Sequence, residues 1–170
     1  NPHFKFSDGN NALMMAVERG NKSIVKLLLE KKARLAEENR KHKTALILAI
    51  ENGHTEIVKM LLKSNANINE KLFDGSNLLH LSVLKGYRDI LRVLLEYPKK
   101  SQVMYSFIDV NEKDKNSNTP LMLAAALGDR ESVKLLLENG ADRAIADIHG
   151  YTAISYARDL GYKEIIELLQ

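Results

Sequence analysis

The apolar and polar positions of the chain alternate between two kinds of helical segment, which return at a nearly constant spacing. The first kind is short, apolar and closed by a glycine, and its five copies read "NNALMMAVERG", "KTALILAIENG", "SNLLHLSVLKG", "NTPLMLAAALG" and "YTAISYARDLG". The closing glycines are separated by 33, 33, 42 and 33 residues, and they are Gly20, Gly53, Gly86, Gly128 and Gly161. A period of this length indicates a stack of repeated helical units.

The second kind of segment follows each closing glycine and carries a wide apolar stripe. Its copies read "NKSIVKLLLE", "HTEIVKMLLK", "YRDILRVLLE", "DRESVKLLLE" and "YKEIIELLQ". In the second copy the stripe consists of Ile57, Val58, Met60, Leu61 and Leu62, which is too wide for a helix with a single partner. The pattern therefore predicts helix pairs that bury their stripes only when neighbouring pairs stack.

Polar residues mark where each helix pair begins and where successive pairs are joined. A residue that can accept a hydrogen bond from an unpaired backbone N–H stands before each first helix. These residues are Asn11, Thr44, Asn77, Thr119 and Thr152. The joining segments, such as "SNANINEKLFDG" and "NGADRAIADIHG", are rich in turn formers and predict short extended fingers with tight turns.

Taken together, these features resemble the ankyrin-repeat family. The resemblance rests on "GHTEIVKMLLKSNANIN", "NTPLMLAAALGDRESVKLLLENGAD" and "GYTAISYARDLGYKEIIELL", and it covers nearly the whole chain. It implies an all-α solenoid of stacked antiparallel helix pairs joined by β-hairpin-like fingers. We expect one domain over residues 1–170, with repeats at about 6–38, 39–71, 72–113, 114–146 and 147–170, the last serving as a C-terminal cap.

Three departures from the family pattern lead to specific expectations. His42 and Ser117 replace the glycine of the finger turn, so we expect those two turns to be reshaped. The segment "KKARLAEEN" lacks the Gly-Ala-Asp ending, and we expect it to prolong the second helix of the first repeat. The spacing of 42 residues places a nine-residue insertion near 98–108, where Pro98 should end the preceding helix near Tyr97.

The insertion has two open interpretations, a tolerated loop or a second binding site. Long surface loops cost little free energy, which favours the loop. We expect one of its apolar side chains to fold back onto the helices. The candidates are Val103, Met104, Tyr105 and Phe107.

Composition excludes several classes of chemistry. The chain has 45% apolar and 28% charged residues with a net charge of +3, as in a folded protein that is only mildly basic, so we do not expect a nucleic-acid partner. It has no cysteine, which excludes disulfides, thiolate metal sites and cysteine nucleophiles. It has no phosphate-binding loop, dinucleotide fingerprint or G-x-S-x-G elbow. We therefore expect no enzyme, no cofactor and no metal site.

Two further expectations concern the histidines and the setting. Family resemblance assigns His80 to bracing a finger and His54 to the position after a closing glycine, so the five histidines do not suggest a metal site.

No apolar run of about 18 residues is present, and no membrane partner is expected. The chain begins Asn1-Pro2-His3 rather than with Met, so we expect it to be a fragment of a longer protein. The absence of cysteine favours an intracellular setting, and we expect a cytoplasmic protein. We also expect the chain to be monomeric by itself.

The resemblance also implies where a partner protein or peptide would bind: the finger tips and the concave surface of the first helices, including the two residues before each closing glycine. The first two repeats are charged there, and the basic run "RKHK" is either a site for an acidic partner or a solvated tip. The last three repeats are apolar there. The candidate contact residues are Arg40, Lys41, Lys43, Phe73, Leu84, Lys85, Leu127, Ile148, Tyr151 and Leu160.

Three functional classes remain open from the sequence. The first is a non-catalytic module that binds a protein or peptide. The second is an accessory domain that positions a partner or substrate for a larger enzyme or effector whose catalytic part lies elsewhere. The third is a structural spacer, for which surface substitutions would have no functional effect.

Overall fold

The computed structural model of the chain describes residues 6–100 and 107–170. This part contains ten α-helices and no β-strand, which confirms the predicted all-α fold class. The helices are α1 Ala12–Glu18, α2 Lys22–Glu30, α3 Ala45–Glu51, α4 Thr55–Lys63, α5 Leu78–Leu84, α6 Arg88–Lys100, α7 Pro120–Ala126, α8 Arg130–Glu138, α9 Ala153–Asp159 and α10 Lys163–Leu169. None of the described helices has both the length and the apolar character needed to span a membrane.

The helices belong to two compact units, Asn1–Ile68 and Asn69–Gln170. In the first unit α1 packs on α2 and α3, and α4 packs on α2 and α3. In the second unit the first helices α5, α7 and α9 pack in series, and each packs on the second helix of its own pair. The predicted stacking of helix pairs is thus present within each unit, and the division into one domain of five repeats stays a prediction.

The core of each unit is made by the apolar stripes of the second helices and the buried sides of the first helices. In the first unit Ile57, Val58, Leu61 and Leu62 have no exposed surface. In the second unit Leu136 is equally buried. The stripes of α4 and α8 therefore lie between helix pairs, as their width indicated, whereas in α2 only Val25 is buried and Ile24 and Leu27 are exposed.

The starts of the first helices are held by the predicted capping residues. The side-chain oxygen of Asn11 accepts a bond from the Met14 N–H at 2.9 Å, and Thr44 does the same for Ile47 at 3.3 Å. At α9 the Thr152 N–H donates to the Ser155 hydroxyl at 3.3 Å. The glycine that follows each first helix has φ between 65° and 75°, the left-handed conformation that ends a helix at little cost.

The finger turns without glycine are not reshaped, so that prediction is wrong. His42 and Ser117 have φ of 54° and 60° and occupy the same left-handed region as the glycines of the other fingers. They also make the same turn bond, from the His42 N–H to the Asn39 carbonyl at 3.0 Å and from the Ser117 N–H to the Asp114 carbonyl at 2.9 Å. The side chains of Asn39 and Asp114 each accept two further backbone N–H groups, which offsets the strain of the turn.

The second helix of the first repeat is not prolonged, which corrects another expectation. It ends at Glu30, and Lys32 adopts φ of 56°. The Ala33 N–H donates to the Leu28 carbonyl at 3.0 Å and the Lys32 N–H to the Leu29 carbonyl at 2.9 Å. This pair of bonds is the Schellman motif, which satisfies the last helical carbonyls even when a residue other than glycine closes it.

The insertion differs from its prediction at the end of α6, and the fold-back of one of its apolar side chains stays a prediction. Helix α6 continues beyond Tyr97 to Lys100, so Pro98 does not end it, because a proline in the last turn removes one backbone donor without forcing the following residues out of the helix. Among the side chains expected to fold back onto the helices, Phe107 is exposed, whereas the neighbouring Ile108 is buried. The other candidates, Val103, Met104 and Tyr105, lie outside the described residues.

Candidate functional site

The three fingers of the unit 69–170 stand side by side, joined at their tips by backbone hydrogen bonds. The Lys115 N–H donates to the Asp74 carbonyl at 2.9 Å, which joins the third finger to the fourth. The Ile148 N–H donates to the Asn116 carbonyl at 3.2 Å, which joins the fourth finger to the fifth. The spacing of neighbouring tips is therefore fixed by the backbone.

Carboxylates hold the turns at these tips. One oxygen of Asp74 accepts the Ser76 N–H at 2.9 Å. One oxygen of Asp114 accepts the N–H groups of Asn116 and Asn118, each at 2.8 Å, and the other accepts the Asn118 side-chain amide at 3.1 Å. Because these bonds are local, both carboxylates are tied to the conformation of their own turns.

His80 connects the third repeat to the fourth finger. Its Nδ1 lies 3.2 Å from the Asn77 backbone nitrogen and 2.8 Å from the Asn77 side-chain oxygen, and its Nε2 lies 3.0 Å from the Asn118 carbonyl oxygen. Burial lowers the pKa of His80, although the Asn118 carbonyl and the nearby carboxylates of Asp114 and Asp74 oppose part of this effect. The ring therefore braces the finger in its neutral form.

His54 also has a structural role, because its ring packs against the first repeat. Its ring covers the closing glycine of the first repeat, where a Cβ atom added to Gly20 would lie 2.8 Å from the ring. Its Nε2 is 3.4 Å from the Glu18 carbonyl oxygen. Within residues 6–100 and 107–170, no group of three or more His, Cys, Asp or Glu side chains could hold a metal ion.

A pocket of about 320 Å³ lies between the fingers and the first helices of the unit 69–170, and we call it the finger pocket. Its volume is at the lower end of the range for ligand sites, about 300–1,000 Å³, which suits one or two side chains. Most of its lining is apolar, and its charged members are two carboxylates. The lining residues are Leu72, Asp74, Ser76, His80, Leu81, Leu84, Asp114, Asn118, Met122, Leu123, Ala126 and Tyr156.

The predicted apolar contact residues are all exposed. Their exposed fractions range from 44% for Tyr151 to 92% for Phe73, and the set also contains Leu84, Leu127, Ile148 and Leu160. Of these only Leu84 lines the finger pocket. Phe73 lies at a tip, where the Lys115 ammonium is 4.1 Å from its ring centre in a cation–π contact.

The predicted basic cluster belongs to the other unit. The ammonium of Lys43 is 2.7 Å from both carboxylate oxygens of Glu51, so this cation is already paired. Arg40 and Lys41 are exposed at the tip, and the intervening His42 lies 3.1 Å from the Glu38 carboxylate. The cluster therefore presents two exposed cations.

A family model described as "Ankyrin repeats (3 copies)" matches the chain three times, over residues 1–72, 40–105 and 79–170. The chain belongs to the ankyrin-repeat family. Ankyrin repeats generally mediate protein–protein interaction, and their fold is typically non-catalytic.

Three similar proteins each match less than half of this ankyrin-repeat chain. The NAD-capped RNA hydrolase NUDT12 of Homo sapiens is 45% identical over 60 residues, which are 35% of this chain and 13% of that protein. The putative ankyrin repeat protein YahD of Escherichia coli strain K12 is 36% identical over 75 residues, 41% of this chain and 37% of the relative. The ankyrin repeat and SAM domain-containing protein 6 of Rattus norvegicus is 44% identical over 61 residues, 35% of this chain and 7% of the relative.

Most of the residues that line the pocket from the first helices were not predicted from the sequence, although they occupy two recurring positions of the ankyrin repeat. Leu81, Leu123 and Tyr156 each stand four residues after the capping residue of their helix, and all three line the finger pocket. Leu84 and Ala126 stand seven residues after it and also line the pocket. Helical spacing puts these two positions on one face, so the signal was present in the sequence.

Tyr156 was also missed, and it connects the pocket to the fifth finger. Its O–H donates to the Asp147 carboxylate at 2.5 Å, which raises the pKa of Tyr156 to about 12 and lowers the pKa of Asp147. Asp147 also accepts the Tyr151 N–H at 2.9 Å, and the two tyrosine rings are 5.8 Å apart. The predicted contact residue Tyr151 therefore lies next to the pocket wall.

Proposed function

We propose that this ankyrin-repeat chain is a non-catalytic interaction module that binds a partner protein or peptide at the finger pocket and the surrounding tips. The observation that carries the proposal is the mainly apolar pocket of about 320 Å³, with Leu84 at its wall and Phe73 in the turn beside it. Large apolar side chains exposed around a concave site favour a partner surface, because their burial by a partner releases water from apolar area.

The other exposed positions extend this proposed surface. Leu127, Ile148, Tyr151 and Leu160 add apolar area outside the pocket, and Lys85 adds an exposed cation beside Leu84. Arg40 and Lys41 are proposed contacts for acidic groups of a partner, with effects on association rate more than on affinity. Lys43 should contribute less, because it is paired with Glu51.

The state of the polar groups in the pocket supports binding over catalysis. Both ring nitrogens of His80 are engaged by backbone groups, so the ring lacks a free nitrogen to act as a general base. The Tyr156 hydroxyl is likewise bonded to Asp147. A catalytic group must reach the proton that it transfers, and these groups are held by the fold instead.

A second candidate is that the chain is the partner-positioning region of a larger enzyme. The observation that favours it is the 45% identity over 60 residues to a relative whose name is that of an NAD-capped RNA hydrolase. The match covers 13% of that protein, so the likeness concerns a small part of it. In this case the finger pocket would bind a protein segment, and the chemistry would belong to the rest of the polypeptide.

Site-specific cross-linking tests the proposed surface. A photoreactive benzoylphenylalanine is placed at position 84 in the pocket or, as a control, at position 134 on the second helix α8, where Lys134 is exposed. We expect a defined partner to cross-link from position 84 and not from position 134. The partner is then purified, and its Kd is measured for the unmodified chain, Leu84→Ala, Phe73→Ala with Tyr151→Ala, and Lys134→Ala.

The expected result is a large loss of affinity without a loss of stability. Truncation of central interface residues costs about 2 kcal/mol or more, which is about thirtyfold in Kd. Lys134→Ala should leave the Kd unchanged, and all variants should keep their Tm. Equal cross-linking from both positions, or an unchanged Kd for Leu84→Ala and for the double variant, would refute the proposed surface.

A further inference from the structure

The finger pocket has a charge pattern that identifies the kind of side chain it can receive. Its charged lining residues are Asp74 and Asp114, from neighbouring tips, and neither lysine nor arginine lines it. The chain as a whole carries a net charge of +3, so the sign of the pocket is opposite to that of the molecule. A concave site of one sign concentrates groups of the other sign.

We propose that the finger pocket receives an arginine or lysine side chain of the partner, with its cationic head at Asp74 and Asp114 and its aliphatic stem on the apolar wall. The inference rests on the proposed function, and it specifies what the partner presents. It requires an extended partner segment that carries a basic residue between apolar ones.

The two carboxylates retain the capacity to accept further hydrogen bonds. A carboxylate has about four lone-pair sites. The described bonds occupy one site on Asp74, from Ser76, and three on Asp114, from Asn116 and Asn118. The bond from the Lys115 N–H to the Asp74 carbonyl at 2.9 Å fixes the two fingers as neighbours, so the carboxylates belong to one preorganised site.

The apolar wall matches the stem of a basic side chain. Leu81, Leu84 and Leu123 line the same pocket as the carboxylates. Lysine and arginine bury their methylene chains on apolar surface while the charged head stays at a polar group. A leucine or phenylalanine of the partner would instead cover the carboxylates without a counter-charge, which is unfavourable for a desolvated ion.

Lys115, which follows Asp114 in the sequence, does not already fill this role. The Lys115 ammonium lies 4.1 Å from the centre of the Phe73 ring, on the tip, and Lys115 is not a lining residue of the pocket. His80 lines the pocket, but both of its ring nitrogens already contact polar groups, of Asn77 and of Asn118. The negative charge of the pocket is thus available to a partner.

Substitution of the carboxylates by amides separates charge from turn structure. Asparagine at 74 and 114 can accept the same backbone N–H groups, as Asn39 does in the second finger, where it accepts the N–H groups of Lys41 at 2.9 Å and Lys43 at 3.1 Å. Asp142→Asn is the matched control, because Asp142 is exposed outside the pocket and its oxygen accepts the Ala144 N–H at 2.8 Å.

The probes are capped pentapeptides of sequence Gly-Leu-Xaa-Leu-Gly, in which Xaa is arginine, lysine, citrulline or glutamate. Citrulline keeps the shape of arginine and removes its charge. Binding is measured from the backbone amide NMR shifts of the whole chain during titration. We expect the arginine and lysine peptides to shift the signals of Leu84 and Ala126, and citrulline and glutamate to bind at least about tenfold more weakly.

The double variant Asp74→Asn with Asp114→Asn should lose at least about tenfold in affinity for the arginine peptide, and Asp142→Asn should not. Equal binding of arginine and citrulline, an unchanged affinity of the double variant, or no binding of any peptide at millimolar concentration would overturn the inference. With the cross-linked partner, a loss in Leu84→Ala but not in the double variant would overturn this inference and leave the proposed function standing. No loss in Leu84→Ala and none in Phe73→Ala with Tyr151→Ala would refute the proposed function itself.

Discussion

Three finger turns contain glycine at the same position but differ in how closely the neighbouring finger approaches it. They can show whether that contact or the backbone conformation alone requires glycine. Gly9, Gly75 and Gly150 occupy the same turn position, with φ of 82°, 82° and 83°. A Cβ atom at Gly9 would lie 2.8 Å from the backbone nitrogen of Arg40, and at Gly75 it would lie 3.5 Å from that of Lys115. At Gly150 it would meet nothing within 4 Å. Alanine substitution therefore holds the backbone strain constant while the crowding varies.

The expected losses in the free energy of unfolding follow from these distances. An L-residue in the left-handed region costs about 1–2 kcal/mol. Reduced freedom of the unfolded chain returns about 0.4–1 kcal/mol. Gly75→Ala and Gly150→Ala should therefore each cost roughly 1 kcal/mol, because 3.5 Å is an ordinary contact. Gly9→Ala should cost about 1–3 kcal/mol more, since the crowded atom belongs to the backbone.

Two measurements check this order. Urea unfolding followed by circular dichroism gives the free energy of each variant, with the m-value reporting whether the transition has changed. Hydrogen exchange at the Arg40 amide gives a local readout, because this N–H donates to the Asp8 carbonyl at 3.1 Å across the two fingers. If Gly9→Ala and Gly150→Ala agree within about 0.5 kcal/mol while the exchange of the Arg40 amide stays slow, crowding between the fingers is not what requires glycine at position 9.

The pKa of His80 is lowered in the fold, so the unfolded chain binds more protons than the folded chain below about pH 6.5. The free energy of unfolding should therefore fall as the pH drops through that value, by at most about 1.4 kcal/mol per pH unit. Urea titrations between pH 7.5 and 5 check this, and an equal fall in His80→Gln would contradict it. Leu61→Ala should cost about 2–5 kcal/mol in the same assay because Leu61 is fully buried, whereas Leu27→Ala, at an exposed position, should cost less than about 1 kcal/mol; equal losses would contradict the core assignment. Ser117→Gly should raise the free energy of unfolding by up to about 1 kcal/mol, because φ of 60° suits glycine, and a lower Tm would show that the side chain stabilises the turn.

The helix pairs could be predicted because their determinants are local. The stripe of Ile57, Val58 and Leu61 and the cap at Thr44 are visible in one repeat, and the structure contains them as predicted. The turns at His42 and Ser117 could not be predicted in the same way. Their left-handed conformation depends on bonds from the whole finger, which offset a preference read from single residues.

The candidate site was predicted less completely, for a geometric reason. Among the pairs before the closing glycines, size and apolarity favoured Leu127, but the pocket is lined by Ala126, whose small side chain leaves room. Leu81 was covered by the general expectation of an apolar core and is nearly buried, yet it also forms a wall of the pocket. Whether an apolar side chain faces a core or a pocket depends on the distance between neighbouring repeats, which periodicity alone does not give.

The acidic tip residues illustrate the same limit and also support the inference drawn from the pocket. In the sequence Asp114 is a turn former like Asn39, and the structure gives both side chains the same two backbone bonds. These two bonds therefore do not require the negative charge that Asp114 carries, although its second oxygen also accepts the Asn118 side-chain amide. In the fifth finger the corresponding Asp147 is bonded to the Tyr156 hydroxyl, whereas Asp114 lines a pocket together with Asp74. A charge that these two bonds do not need, placed beside a second one over an apolar wall, is best explained by a cation that arrives with the partner.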